Sequence, residues 1–331
     1  MNRHLLQSEI WAEYERLDGK RSHVVEYEWK KKKFSTVAWE NETPFGKYLM
    51  VGYGPRAQDK HELKQALEEL RSLAKATDAY FVRIEPTLRL EPSEMAKIAS
   101  GMNPKVEIKK VKNIDPEHTW VLDLRGKSQE DILGGMESRK VRYWKAAAKK
   151  GITMRVSEDP SEITILSKLL EGLGEMDHFT PQTESHLRHQ MEAGFAKLYI
   201  ADLDEGIWKG EEATGKTVPI AAALIYDFEG VRYYAHAATD SEHRKLMAGT
   251  VLLIQMILDA REQGMDTYDF WGITTSEDPN HPWYGFSKYK RSFGGRQVDY
   301  SGTYDMILKP AKYKLYNSVR NANLKVRKIF K

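Results

Sequence analysis

The stretch "AGTVLLIQMILDAREQGMDTYDFWGI", residues 248–273, decides the fold class. It begins as a long apolar helix, turns polar at "DAREQ" and stops at Gly264, since glycine leaves a helix at little backbone cost. The seven residues "TYDFWGI" that follow are β-branched or aromatic for the most part and read as a strand. Upstream, "AKLYIADL" and "VPIAAALIYDFEGVRYYAHAAT" read as further strands, and "DLDEGIWKGEEATGK" as a hairpin loop between them. The first half has the same order. There "GKYLMVGYG" and "AYFVRIEP" bracket "KHELKQALEELRSLAKAT", in which Leu63, Leu67, Leu70 and Leu73 recur at helical spacing. Strand, helix, strand in both halves, with no repeat in the sequence itself, predicts α/β layers built on mixed sheets, an α+β arrangement.

The 331 residues suit two cores better than one, and 41% apolar content supplies the side chains for them. The join is expected just before "TWVLDL", giving a first domain of residues 1–117 with 302–331 and a second of residues 118–301. A chain without cysteine has no disulfide, thiol nucleophile or zinc-thiolate site. His186 and His189 are only a weak metal-binding pair, so no metal is expected. No apolar run approaches the roughly 20 residues that cross a bilayer, and the opening "MNRHLLQSEIWAEY" lacks a signal peptide's apolar segment; a cytoplasmic monomer is expected. The net charge of +3 is too small for bulk nucleic-acid binding, so its distribution matters more. Two segments stand out: "SRKVRYWKAAAKKG", residues 138–151, and the tail 309–331, which contains no acidic residue. Each could track phosphates or form a solvated helix face.

Several pieces recur in a fixed order: "LLQSEIWAEY", "AYFVRIEP", "VLDLRGKSQEDILGGMESRKVRYWKAAAKKGI", "HRK" leading into the apolar helix, "YDFWGI", "YGFSKYKRSFGG" and "VDYSGTYDMIL". This ordered set resembles the Fem family of peptidoglycan-bridge aminoacyltransferases over nearly the whole chain. The resemblance implies two tandem acetyltransferase-like (GNAT) domains without the coiled-coil arm of longer members. It implies an enzyme that needs no cofactor and takes aminoacyl-tRNA as co-substrate. The acceptor would be a peptidoglycan precursor, lipid-linked or nucleotide-linked, met at the inner face of the membrane. Tyr80 matches a substrate-contacting tyrosine of the family. Departures are equally specific: "FTPQTESHL" puts Gln182 and His186 where an Arg and a Tyr meet the sugar-phosphate. Ala235 stands two residues after Tyr233 where a tyrosine is expected, and Glu15, beside Arg16, replaces a lysine.

Acyl transfer to an amine builds negative charge on the ester's carbonyl oxygen, and a fixed cation aimed there stabilises the transition state selectively. Lys290 suits this task, in "KYKRSF", with Tyr289 and Phe293 expected to pack its stem. On a strand end, Lys288 and Arg291 would point away from Lys290, toward phosphate or solvent. The attacking amine must also lose a proton. Glu85, before Pro86 at a strand end, is a candidate base; a cap, a ligand-positioning carboxylate, or proton transfer through the ester's own ribose hydroxyl are alternatives. Tyr233 and Tyr289 complete the expected substrate contacts. A single-stranded tRNA end would be met by cations interleaved with rings, which suits Arg139, Lys140, Arg142, Tyr143, Trp144 and Lys145, with Lys288 and Arg291 beyond. In the tail, Tyr313, Leu315, Tyr316, Val319, Leu324, Val326, Ile329 and Phe330 suit packing on the first domain, or attraction to anionic lipid. Three rivals remain. An acetyl-CoA-dependent acetyltransferase would need a glycine-rich turn, where "EHRKLMAGT" offers only Gly249; a binding module for RNA or membrane would use the basic segments alone; and tRNA-dependent transfer could go to another amine.

Overall fold

Ser8, Asp59 and Ser128 each stand one residue ahead of a helix and take up its free N–H groups. Ser8 Oγ accepts from Trp11 N, Asp59 Oδ1 from His61 N and Glu62 N, and Ser128 Oγ from Asp131 N. These caps fix where three helices begin in the protein, seen here in a computed structural model. It describes the backbone of residues 3–177 and 180–329 and the side chains of 3–174 and 180–320. Leu324, Val326, Ile329 and Phe330 of the tail lie outside the residues so described.

The chain divides into two compact units, Met1–Glu117 with Asp299–Lys331, and His118–Val298. The first unit runs α1 (Glu9–Leu17), β1 (Ser22–Trp29), β2 (Lys32–Thr43), β3 (Gly46–Val51), α2 (Lys60–Ala76), β4 (Phe81–Ile84), α3 (Pro92–Ser100) and β5 (Glu107–Lys110). The second continues with β6 (His118–Asp123), α4 (Gln129–Gly134), α5 (Ser138–Ala146), β7 (Ile152–Ser157), α6 (Ile163–Asp177), α7 (Glu184–Glu192) and β8 (Ala196–Asp204). After these come α8 (Glu205–Lys209), β9 (Thr217–Phe228), β10 (Val231–Thr239), α9 (Ala248–Glu262), β11 (Thr267–Gly272), α10 (Tyr284–Arg291) and β12 (Arg296–Asp299). The chain then returns to the first unit as β13 (Tyr304–Ile307) and α11 (Pro310–Ile329).

Among the described residues the first sheet has the order β1-β2-β3-β4-β13-β5 and the second β12-β6-β11-β10-β9-β8-β7. In the first, β3 and β4 run parallel between antiparallel neighbours; in the second, β10 and β11 do. Mixed sheets with helices are therefore what the sequence pattern called for. In the first unit Leu63, Leu67 and Leu70 of α2 are buried against Leu49, Val82 and Ile84 of the sheet. In the second, α9 is buried nearly all round, with Val251, Leu252, Leu253, Ile254, Met256 and Ile257 in the core with Tyr268 and Phe270. The loop "DLDEGIWKGEEATGK" does close a hairpin, β8 to β9, but encloses a short helix whose N–H groups are capped by Asp204. Among the described residues no helix is long and apolar enough to cross a membrane.

One reading of a segment fails. "WYGFSKYKRSFGG" is not a strand end but contains the helix α10, capped at Ser292 and followed by Gly294 and Gly295 at φ +79° and +102°. A Cβ on Gly295 would stand 2.3 Å from Val121 O of β6, so close approach to the sheet demands glycine there.

Each unit buries one arginine in the middle of its parallel pair, paired with an aspartate. In the first, Arg83 Nε and Nη2 donate to the two oxygens of Asp305 at 2.7 and 2.8 Å, and Tyr313 Oη donates to Asp305 Oδ2 at 2.8 Å. Replacing Asp305 by Ala would strand a buried guanidinium and should cost about 3–5 kcal/mol, whereas Arg83→Met with Asp305→Leu should lose far less. Urea unfolding of the three proteins measures this as midpoint shifts at constant slope.

Candidate active site

Parallel strands β10 and β11 stay in register for three residue pairs, Val231 with Thr267, Arg232 with Tyr268 and Tyr233 with Asp269. Beyond them the strands part. β10 shifts register against β9 between Tyr234 and His236, and β11 shifts against β6 between Asp269 and Gly272. Three residues of β11 there span what two span on β6, which is a bulge. Trp271 takes it up with φ +65°, a left-handed backbone that a bulky residue adopts only under constraint.

Helix α10 is fastened to this exit by side chains. Lys290 Nζ donates to Gly272 O at 2.8 Å, Arg291 Nη2 to Thr274 O at 2.7 Å, and Thr274 N to Ser287 Oγ at 2.9 Å. On a helix, Lys290 and Arg291 thus face the same segment, whereas a strand would turn them apart. Lys288 is exposed, as expected of a phosphate or solvent contact. Burial pushes the Lys290 ammonium down to about 8, with Asp269 acting in the opposite sense. Asp269 is in turn pushed by burial up to about 7, while the N–H of Trp271 and the charge of Lys290 pull it down.

The packing around Lys290 also differs from expectation. Tyr289 and Phe293 do not hold its stem; they hold Lys140, whose Nζ lies 4.2 and 4.6 Å from the two ring centres. Lys290 Nζ lies 5.0 Å from the ring of Phe286 instead. Lys140 therefore leaves the group of outward cations on α5. Arg139, Arg142, Lys145 and Lys149 remain exposed, three to four residues apart, as one basic stripe. Tyr143 and Trp144 pack inward against the core, Trp144 Nε1 donating to Gln255 of α9, so they are not free to stack on bases.

A cavity of about 280 Å³ opens beside α9, lined by Tyr234, Thr239, Arg244, Gly249, Thr250 and Tyr289, among others. Gly249 is required there, since a Cβ would meet Thr239 Oγ1 at 2.6 Å. Met247, at φ +58°, turns the chain into the helix, and Met247, Gly249 and Thr250 at the start of α9 line the cavity. Tyr289 Oη lies 3.3 Å from Thr250 Oγ1, and burial pushes the phenol up to about 12. Exposed Arg244 stands at the cavity as a cation that sequence reasoning passed over; its signal was "HRK" directly ahead of the apolar helix.

Of the remaining second-unit candidates, Tyr233 packs on Trp271 and Gln182 and His186 stand at α7. Tyr233, nearly fully buried, packs edge-on against Trp271 at 5.6 Å, and Tyr226 does so at 6.3 Å. Tyr226 Oη donates to Gln190 Oε1 at 2.8 Å and lies 3.1 Å from His236 Nε2. Burial and the nearby His186 hold His236 down at about 4, so it is uncharged at neutral pH. His186 stands on α7, its N–H capped by Thr183, and Gln182 is exposed just before that helix.

Glu85 and Tyr80 belong to the first unit. Glu85 sits where β3 and β4 part, its N–H bonded to Gly54 O at 2.8 Å. Its Oε1 accepts from Asp115 N at 2.9 Å and Thr303 Oγ1 at 2.6 Å, and its Oε2 from Tyr53 N at 3.4 Å. Burial and the Glu85 charge raise the neighbouring Asp115 well above the usual carboxylate range. With both oxygens engaged, Glu85 is first of all the residue that closes this turn. Tyr80 is fully buried, its hydroxyl 3.1 Å from Thr43 Oγ1 and its ring against Phe81 and Tyr316, and it gives a substrate no surface to touch.

Comparison with known proteins adds a relationship to this geometry. A protein of Staphylococcus haemolyticus (strain JCSC1435) named lipid II:glycine glycyltransferase is 23% identical over 386 aligned residues, covering 96% of this chain and 91% of that one. One of the same name from Staphylococcus aureus is 23% identical over 336 residues, covering 82% and 79%. The crystal structure of FemX superposes with a TM-score of 0.79 over 95% of this chain and 94% of that one, at 20% identity, and so has the same fold. The model of the FemAB family matches residues 1–204 and 182–321. Since those two matches take in nearly every element described above, the chain belongs to the FemAB family.

Proposed function

We propose that the protein moves an aminoacyl group from the 3′ end of a charged tRNA to the stem-peptide amine of a peptidoglycan precursor. The relatives named lipid II:glycine glycyltransferase support a lipid-linked acceptor and a bridge-forming reaction. The observation that carries the reading is Lys290, a desolvated cation fixed on Gly272 O where two parallel strands part. An ammonium held by one carbonyl keeps N–H donors for a developing oxyanion.

The amine nitrogen attacks the ester carbonyl, the bond to the ribose oxygen breaks, and the proton released by the amine goes to that leaving oxygen. No covalent enzyme intermediate, metal or cofactor enters this scheme. The cavity beside α9, which Tyr289 lines next to Lys290 in the chain, would take the sugar of the terminal nucleotide, with Arg244 and the start of α9 meeting its phosphate. The stripe Arg139, Arg142, Lys145 would track the backbone of the single-stranded end. On α11, exposed Leu315 and Val319 beside Lys312 and Lys314 would suit the surface of an anionic membrane that carries the acceptor.

A transfer assay with mixed charged tRNA and mass detection, on lipid-linked and nucleotide-linked stem peptides, tests the reading. Saturable stabilisation by acetyl-CoA, with no transfer from tRNA, would replace it with the acetyltransferase alternative. Lys290→Met should lower turnover by roughly 10² to 10³, the scale of one missing oxyanion donor, and unchanged turnover would remove the lysine from this role. Arg142→Ala with Lys145→Ala should weaken binding of the RNA and flatten its log–log salt slope by roughly 1.4, about 0.7 for each phosphate no longer neutralised.

A further inference from the structure

An aspartate in the middle of "TYDFWGI" is out of place by hydrophobicity. Tyr268 and Phe270 on either side of it face the core, so Asp269 lies on the opposite face of β11, yet it is only 5% exposed. A carboxylate buried to that degree needs a partner of its own. Asp269 Oδ1 accepts the N–H of Trp271 at 2.7 Å, two residues on. That bond spans the bulge, and the residue that donates it is the one with φ +65°. The next residue is Gly272, whose carbonyl receives Lys290 Nζ at 2.8 Å. A single side chain therefore closes the turn that presents the docking carbonyl of the lysine.

We propose that Asp269 is a positioning residue for Lys290: its carboxylate fixes the Trp271 turn, and hence the Gly272 carbonyl on which the lysine docks, and sets its charge near the docked ammonium. This rests on the reading of Lys290 as the oxyanion donor. It adds a residue which that reading does not use.

The surroundings leave the electrostatic part to this pair. On β10, Tyr233 stands opposite Asp269 in the register, and on β6 the opposing residue is Val121. On α10, Arg291 is turned to Thr274 O, and its guanidinium lies 5.7 Å from the Trp120 ring of β6. Asp123, further down β6, is paired with Arg296. His236 on β10 and Tyr226 on β9 are engaged with each other beyond Trp271, and the imidazole is neutral above about pH 4. The mutual effect of Asp269 and Lys290 agrees with this arrangement: the lysine lowers the carboxyl, and the carboxylate raises the ammonium.

Asp269→Asn separates aim from charge, because the amide oxygen still accepts from Trp271 N while the charge is gone. The alkaline limb of kcat/KM, set by loss of the Lys290 proton near pH 8, should move down by roughly one unit in this variant. An unshifted limb in a folded Asp269→Asn protein would reduce the aspartate to a turn-closing residue and overturn the proposal. If the variant does not fold, lysine Cε NMR of the unaltered protein decides, with the Lys290 resonance assigned by its loss in Lys290→Met. Its titration should carry a second inflection where Asp269 ionises, near pH 7. A single transition with no feature there would overturn the coupling. Failure of the broader reading looks different: Lys290→Met would then keep full turnover, whatever Asp269→Asn does.

Discussion

The parting of two parallel strands after three residue pairs is the constraint on which the rest of the architecture depends. In the first unit Leu49, Met50 and Val51 of β3 pair with Val82, Arg83 and Ile84 of β4; in the second, β10 and β11 have the same three-pair length. Beyond the last pair, each strand is without its ladder partner on one side, and its peptide groups need other ones. Both units supply them at that level with a carboxylate. Glu85, one residue past the β4 pairing, accepts the N–H groups of Tyr53 and Asp115, and Asp269, in the last pair, accepts that of Trp271. Strand divergence thus makes room and, by the same step, demands buried acids around that room.

Below the split, the arginine at the middle pair of each unit ties its own strand into the packing around it. Arg232 spends all five of its donors: two on Asp227, one each on Tyr199 Oη, Met256 O and Gln263 Oε1. It ties β10 to α9 at the closed end of the sheet. Arg83 does the corresponding work with Asp305 on the neighbouring strand β13, its guanidinium 5.4 and 5.2 Å from the rings of Tyr48 and Phe81. With all five donors of Arg232 matched, the closed end of the second sheet is geometrically exacting, which leaves the divergence to the other end.

Much of this was legible in the sequence where a period carried it. The leucines of α2, the apolar helix α9 with its glycine stop and the β8–β9 hairpin all follow from spacing and turn residues, because burial imposes the same period on the side chains. Segment 283–295 was not legible. Its aromatic residues favour a strand, and what makes it helical is tertiary: Ser287, Lys290 and Arg291 bonding to the exit of β11. Lys140 was lost in a run of cations, although Met136, Lys140, Tyr143 and Ala147 fall at the spacing of one inward face. Asp269 reads in the sequence as one more strand residue; a carboxylate alternating with buried rings was the signal for a demand at that position. Tyr80 was placed by resemblance alone, and its burial follows from the cluster with Phe81, Tyr313 and Tyr316.

The two desolvated lysines grip α10 from different directions, and the difference explains how one short helix can be held so firmly. Lys290 reaches from the helix to a carbonyl of the sheet exit, while Lys140 reaches from α5 onto the rings of Tyr289 and Phe293. Burial lowers the affinity of Lys140 for its proton, and the two ring faces offer partial compensation for the missing hydration. Since α5 bears Lys140 inward and Arg139, Arg142 and Lys145 outward, the outward cations stand on an element packed directly against the helix of Lys290. A polyanion drawn to that stripe would therefore be registered against the lysine through one cation held on two rings, with no loop between them.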